Sequence, residues 1–243
     1  MESDLETSAN YFRFVFKMLS EAPVCLPAGG ISKIPRQLAS HIDTCSLRLN
    51  TRVQSVSGNE VKLQSGEMIK SRAVVFAAGV DSANLSDGDG TQAPVHWNGT
   101  TCIYFASDTP PTHERALMLN GEGEGPANHV FIPTNSDPSL SKDGRCLISV
   151  SLIGSNAVET PDLERVLVQM REWFGEHVST WQHLRNYWIP NAVPQQMPGA
   201  YRRQARQQSN GPYVCGDIAE TASLNGALQS GRQTARAIID SLR

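Results

Sequence analysis

A strand, turn and helix near the end of the chain restrict its fold more than any other feature of the sequence. Residues 211–240 read GPYVCGDIAETASLNGALQSGRQTARAIID. The apolar run PYVCG predicts a strand that stops at Asp217, and a bend of small residues follows. The helix after it begins at Asn225-Gly226-Ala227 with no bulky side chain, and its apolar residues form a single stripe.

Two further segments complete the predicted frame. AVVFAAG, residues 73–79, is continuously apolar and ends in glycine, as is typical of a strand buried on both faces of a parallel sheet. Residues 46–70 alternate in hydrophobicity around the turns SGNE and QSGE, which predicts an antiparallel meander containing Leu47, Leu49 and Val53. Helices are predicted over 8–20, from near Ser32, and from Thr160-Pro161. In the first helix Phe12, Val15, Phe16 and Leu19 recur with helical spacing, and in the second Leu38 and Ile42 are expected to face inward.

Composition excludes several functions. The chain has 243 residues, a net charge of −3 and no basic stripe, so nucleic acid is not expected as a partner. Its five cysteines form no CxxC and its six histidines are not spaced as metal ligands, so we predict no metal site. The sequence contains no GxSxG motif, which disfavours a hydrolase. The polar N-terminus and the absence of an apolar run of about 20 residues predict a cytoplasmic protein without a transmembrane segment.

The three segments together indicate a ligand site. Ligands of open α/β sheets bind beyond the carboxyl ends of the strands, where Gly79 and Gly216 would let a ligand approach the backbone. Asp217 could accept hydrogen bonds from ligand hydroxyls. Free N–H groups at the helix start would form a partly positive end, contributed by Asn225, Gly226 and Ala227. This combination suits a large flat cofactor with a phosphate and sugar chain.

The sequence resembles the superfamily of FAD-dependent amine oxidases and phytoene desaturases over nearly its whole length. The similar segments are LPAGGISKIPRQLASHI, LRLNTRVQSVSGNEVKLQSGEMIKSRAVVFAAG, LNGEGEGPANHVFIPTN and YVCGDIAETASLNGALQSGRQTARAI. The resemblance implies FAD as cofactor, with the Val53 backbone at the adenine and Ala78 and Gly79 lining the adenosine. It also implies Gly216 and Asp217 at the pyrophosphate and ribityl chain, and residues 225–227 beside the isoalloxazine ring.

One departure from the family pattern concerns phosphate binding. The family begins with a strand, a GxGxxG loop and a helix, and this chain contains no such unit. The GEGEG at 121–125 is followed by Pro126 and is no substitute. We therefore interpret the chain as the C-terminal portion of an FAD-dependent oxidoreductase that oxidises a small organic substrate by hydride transfer to flavin. The alternative is a non-catalytic truncated remnant, or a half-subunit needing a partner chain that supplies the loop. Either way, weak FAD retention by this chain alone is expected.

The predicted fold class is α/β (α+β), in two lobes. An incomplete, Rossmann-like FAD-binding lobe would comprise residues 27–85 and 190–243, and a substrate lobe with a mixed or antiparallel sheet residues 1–26 and 86–189. No catalytic residue is assigned, and His129 is interpreted as structural rather than as a base. TTCIYFAS lacks the lysine that many amine-oxidising relatives place beside the flavin, and CLISVSLIG is aliphatic, which favours an apolar substrate over a charged amine.

Overall fold

The computed structural model describes residues 6–21, 23–42, 47–77, 95–199 and 212–243. The helices are α1 (Ala9–Glu21), α2 (Lys33–Ser40), α3 (Pro133–Ser136), α4 (Leu163–Phe174) and α5 (Leu224–Ser241). The strands are β1 (Val53–Ser57), β2 (Glu60–Leu63), β3 (Met68–Lys70), β4 (Val75–Phe76), β5 (Trp97–Ser107), β6 (Met118–Leu119), β7 (His129–Phe131), β8 (Cys146–Ile153), β9 (Gln182–Pro194) and β10 (Tyr213–Val214). No helix among these residues is both long and apolar enough to cross a membrane.

The chain divides into two compact units. Among the described residues, the first unit lies within Ala22–Cys45 and Asn98–Ala192, and the second within Leu5–Glu21, Ser46–Trp97 and Val193–Arg243. Which unit serves a cofactor and which a substrate stays a prediction. The predicted α+β class, with a mixed or antiparallel sheet, is confirmed by the elements of the two units.

The first unit is built on a five-stranded sheet with the order β6-β7-β8-β5-β9. Strands β5 and β8 pair antiparallel from Thr100↔Ile153 to Ser107↔Cys146, and β7 pairs antiparallel with β8 on its other side. Alternate residues enter one core, which α4 covers with Val166 and Met170. The strand residues buried there include Ile103, Phe105, Val130, Ile148, Val150 and Leu152.

The second unit contains two small sheets. The strands β1, β2 and β3 form the predicted antiparallel meander. The strands β4 and β10 pair parallel, with Val75 opposite Tyr213 and Phe76 opposite Val214. A small core of Val56, Val74 and Phe76 lies beneath both sheets, and Val53, Val61 and Val214 pack against it.

Three local predictions from the sequence are wrong. Leu47 and Leu49 are exposed and lie outside any strand, because Asn50 adopts a left-handed conformation (φ +54°) that interrupts an extended chain before β1. Helix α1 forms as predicted, and its apolar stripe is not buried, since Phe12, Phe16 and Leu19 are 61%, 63% and 61% exposed.

Leu38 of α2 and Ile42, which follows the helix, do not face inward as predicted, since both are exposed. Pro161 does not open α4, which begins at Leu163 because the Asp162 carboxylate accepts a hydrogen bond from the Arg165 N–H and caps the helix.

Candidate functional site

The carboxyl ends of β4 and β10 lie side by side, as the sequence analysis required. The Tyr213 N–H donates to the Val74 carbonyl and the Cys215 N–H to the Phe76 carbonyl, at 2.8 and 2.9 Å. The parallel pairing therefore continues through Cys215, and Gly216 follows directly. Ala78 and Gly79, the predicted contacts of the adenosine, lie outside the described residues.

Gly216 turns the chain away from the sheet. Its φ of +126° is a conformation that side chains with a Cβ rarely adopt, and the space a Cβ would take is open, with Ile218 Cγ1 nearest at 3.9 Å. The Gly216 N–H donates to the hydroxyl of Ser230 on α5, at 3.2 Å. This bond holds the turn to the helix, and the open space beside the Gly216 Cα leaves room for a ligand.

Asp217 begins a short 3-10 turn, Asp217–Ala219, and is half-buried. Burial raises the pKa of its carboxyl, and hydrogen bonds from the N–H groups of Ile218 and of Asp217 itself oppose that rise. A partly desolvated carboxylate held by backbone donors is a suitable acceptor for the hydroxyls of a sugar or ribityl chain.

The first turn of α5 differs from the prediction of three free N–H groups. The Ser223 hydroxyl caps the helix by accepting from the Gly226 N–H at 3.0 Å, and the Ala227 N–H donates to the Ser223 carbonyl at 3.0 Å. The Asn225 N–H has no hydrogen-bond partner within the described part of the chain. The prediction was wrong for Gly226 and Ala227 because a serine one residue before the helix supplies its own cap.

Gly226 is required by packing within this turn. It is buried, and an added Cβ would overlap the carbonyl oxygen of Thr221. The smallness of this residue is therefore explained by the contact between α5 and the turn before it, whether or not a cofactor binds nearby.

A groove of about 530 Å³ opens beside the helix start. Its lining residues come from α5, from the turn before it and from α1: Phe14, Glu220, Thr221, Asn225, Gly226, Leu228, Gln229 and Arg232. Tyr11 of α1 donates its hydroxyl hydrogen to the Ala222 carbonyl at 3.0 Å. The part played by α1 in this region could not be predicted, because a contact between residues so far apart along the chain leaves no pattern in a single sequence.

Val53, the predicted adenine contact, is the first residue of β1 and lies opposite Leu63. Its side chain packs against the core of Val56, Val74 and Phe76, so the β1 strand adjoins the β4 strand end through this cluster. Of the predicted cofactor residues that the structure describes, all belong to the second unit.

These residues fit a flavin nucleotide. The strand ends and the open space at Gly216 offer close approach to the backbone, and the unpartnered Asn225 N–H offers a polar contact. Within the described residues, no group of three His, Cys, Asp or Glu side chains could hold a metal ion.

In the first unit, His129 lies on β7 directly across from Ser151. Burial lowers the pKa of His129, so the imidazole is neutral at pH 7, and its Nδ1 is 3.1 Å from the Asn128 side-chain oxygen. Ser151 lies in turn across from Cys102, with their side-chain oxygen and sulfur 3.7 Å apart.

Comparison with known proteins identifies a family. The model of the family described as flavin containing amine oxidoreductase matches residues 2–239. This match confirms the resemblance noted from the sequence and the predicted cofactor, FAD. No curated protein sequence matches the chain.

Several solved structures share the fold. A proposed protoporphyrinogen oxidase from Exiguobacterium sp. 255-15 is 13% identical with a TM-score of 0.67, over 87% of this chain and 51% of that one. The CLA-producing fatty acid isomerase from P. acnes is 12% identical with a TM-score of 0.60, over 85% and 52%. Reduced UDP-galactopyranose mutase is 16% identical with a TM-score of 0.58, over 79% and 46%. The chain thus spans about half the length of the structures it matches.

Proposed function

We propose that this chain, which belongs to the family of flavin-containing amine oxidoreductases, is the C-terminal portion of an FAD-dependent oxidoreductase acting on a small organic substrate. In this proposal the second unit contacts FAD. Gly216 and Asp217 meet the pyrophosphate and ribityl chain, and Asn225, Gly226 and Ala227 lie beside the isoalloxazine ring. The Val53 backbone contacts the adenine, with Ala78 and Gly79 along the adenosine.

The observation that carries the proposal is the junction between β10 and α5. Gly216, with a positive φ, and then Asp217 follow the strand. The Ser230 hydroxyl of α5 accepts a hydrogen bond from the Gly216 N–H. Asn225, at the helix start, also lines the groove. The positive end of a helix favours the electron-rich edge of a ring that gains negative charge on reduction.

The chain's residues supply position and polarity. FAD held by these residues would supply the acceptor for a hydride equivalent from a C–H or N–H bond of the substrate. Asp217 holds ligand hydroxyls by accepting hydrogen bonds, and Gly216 keeps side-chain bulk away from the ligand. Phe14 and Leu228 give the groove beside the helix start an apolar part of its wall.

For the substrate we propose an uncharged, largely apolar molecule. The aliphatic residues that suggested this from the sequence point into the core with α4, so they no longer support it. The support comes instead from the opposite face of the sheet. The residues of β5, β7 and β8 that alternate away from the core carry no formal charge, and they include Cys102, Tyr104, His129, Ser149 and Ser151. The charge found beside them is a cation, because Arg185 of β9 lies over the ring of Tyr187, which contacts Tyr104. A cytoplasmic location is also part of the proposal, and the free thiols of Cys25, Cys102, Cys146 and Cys215 support it.

The test is equilibrium binding of FAD to the chain, followed by gel filtration and a visible spectrum. We expect weak binding that is lost on the column, because the described residues contain no glycine-rich loop between a strand and a helix. Asp217→Ala should weaken the equilibrium binding, whereas Asp240→Ala, at the far end of α5, should not. Equal affinities for the two variants would remove Asp217 from the site.

The alternative proposal is a non-catalytic remnant, or a half-subunit whose partner chain supplies the dinucleotide loop. The exposed apolar face of α1 favours a further polypeptide over a free-standing chain. A folded wild-type chain with no equilibrium affinity for FAD would support this alternative. Flavin that survives gel filtration in stoichiometric amount would exclude it.

A further inference from the structure

Helix α1 presents two different sides. Phe12 and Phe16 stack on each other on an exposed side, with ring centroids 5.9 Å apart. Tyr11 and Phe14, whose rings are 6.5 Å apart, are half-buried instead. Tyr11 bonds to the segment before α5, and Phe14 lines the same groove as that segment. One side of α1 therefore faces the segment that leads into α5.

The contact of Tyr11 is specific. Its hydroxyl donates to the carbonyl of Ala222, which is buried and immediately precedes the capping residue Ser223. Burial, and secondarily the negative charge of Asp217, raise the pKa of Tyr11, so the phenol keeps its proton and remains a donor throughout the neutral range.

The Ala222 carbonyl, which accepts the hydrogen bond from Tyr11, lies along the chain between Gly216-Asp217 and the first turn of α5. Asp217 and Gly216 precede it, and α5 follows with Gly226 packed directly against the Thr221 carbonyl. Because the Thr221 carbonyl lies so close to Gly226, we expect a shift of residues 221–222 to move the first turn of α5 relative to Asp217.

Helix α1 has its own anchor, which is separate from Tyr11. The Ser8 N–H and the Thr7 hydroxyl both donate to the Gln196 carbonyl, at 2.7 and 3.2 Å. Loss of the Tyr11 hydroxyl should therefore leave α1 in place and release only the Ala222 carbonyl.

We infer that Tyr11 is a positioning residue of the flavin site: its hydroxyl fixes the turn at residues 217–223 and so sets Asp217 against the Asn225 N–H. The inference rests on the proposed function for its consequence in flavin binding, but the fixing of the turn can be tested without any cofactor.

The test compares Tyr11→Phe with Tyr213→Phe in the full chain. Tyr213 is the matched control, because its hydroxyl lies 3.1 Å from the Ser241 hydroxyl at the other end of the same helix. Hydrogen–deuterium exchange without FAD should speed up over residues 217–227 in Tyr11→Phe only. Titration with FAD should show an affinity about five- to tenfold weaker for Tyr11→Phe than for Tyr213→Phe. The absorption band of the bound flavin should also shift in Tyr11→Phe alone.

Unchanged exchange over residues 217–227 in Tyr11→Phe would overturn the inference. So would an equal loss of FAD affinity in both variants, which would indicate a general effect on stability. Absence of FAD binding by the wild-type chain would contradict the proposed function instead, and the exchange data would still decide whether Tyr11 fixes the turn.

Discussion

Replacement of Gly226 by alanine is the sharpest test of how the turn packs against α5. The new Cβ would overlap the Thr221 carbonyl oxygen and lie 2.8 Å from its carbonyl carbon and 3.0 Å from its nitrogen. All three are backbone atoms, which cannot rotate away as a side chain can. Overpacking costs about 1–3 kcal/mol, and we expect the upper end here. Alanine recovers up to about 1 kcal/mol of helix propensity, so the expected net loss is roughly 2 kcal/mol.

Gly231→Ala provides the control on the same helix. An added Cβ at Gly231 has no atom within 4 Å, so only the helix propensity changes, and we expect a gain of about 0.5–1 kcal/mol. Urea unfolding followed by circular dichroism measures both free energies of unfolding. The two variants should therefore differ by about 3 kcal/mol. Equal stabilities, or a Gly226→Ala variant more stable than the wild type, would refute the packing described for this turn.

Two further predictions concern buried polar groups. Because burial raises the pKa of Asp217 in the folded chain, its contribution to stability is greatest at low pH and is lost as the pH rises through that pKa. Above that pKa, Asp217→Asn should be more stable relative to the wild type than it is at low pH, as measured by urea unfolding repeated across pH. A difference in stability between variant and wild type that does not change with pH would contradict this prediction. The buried Gln169 side chain accepts a hydrogen bond from the Ala127 N–H and donates to the carbonyls of Glu124 and Ala127. Gln169→Leu removes these bonds and should lower the free energy of unfolding by about 2–3 kcal/mol, whereas Gln229→Leu on the surface should change it by less than about 0.5 kcal/mol. Similar losses in the two variants would count against the buried network.

The sequence predicted those parts of the fold that depend on local patterns. The turns SGNE and QSGE determine the meander, because alternation on either side of a glycine turn leaves one register. The strands β4 and β10 were predicted from two apolar runs, each ending in small residues, whereas their direct parallel pairing was found only in the structure.

The parts that depend on distant contacts could not be read in this way. The apolar stripe of α1 has the period of a helix, but periodicity does not say whether a partner covers the stripe, and here Phe12 and Phe16 are exposed. Tyr11 meets Ala222 across most of the chain. Gly226 was expected to admit a cofactor, and its backbone neighbour Thr221 is what requires glycine there.

The central claim is that the turn after β10 and the start of α5 contact FAD. Nuclear magnetic resonance of the ¹⁵N-labelled chain, titrated with FAD, tests it directly. The account predicts the largest amide shifts at Gly216, Asp217 and Asn225, with little change in α4 of the first unit. Shifts that are absent in the folded chain, or that concentrate away from these three residues, would contradict the account.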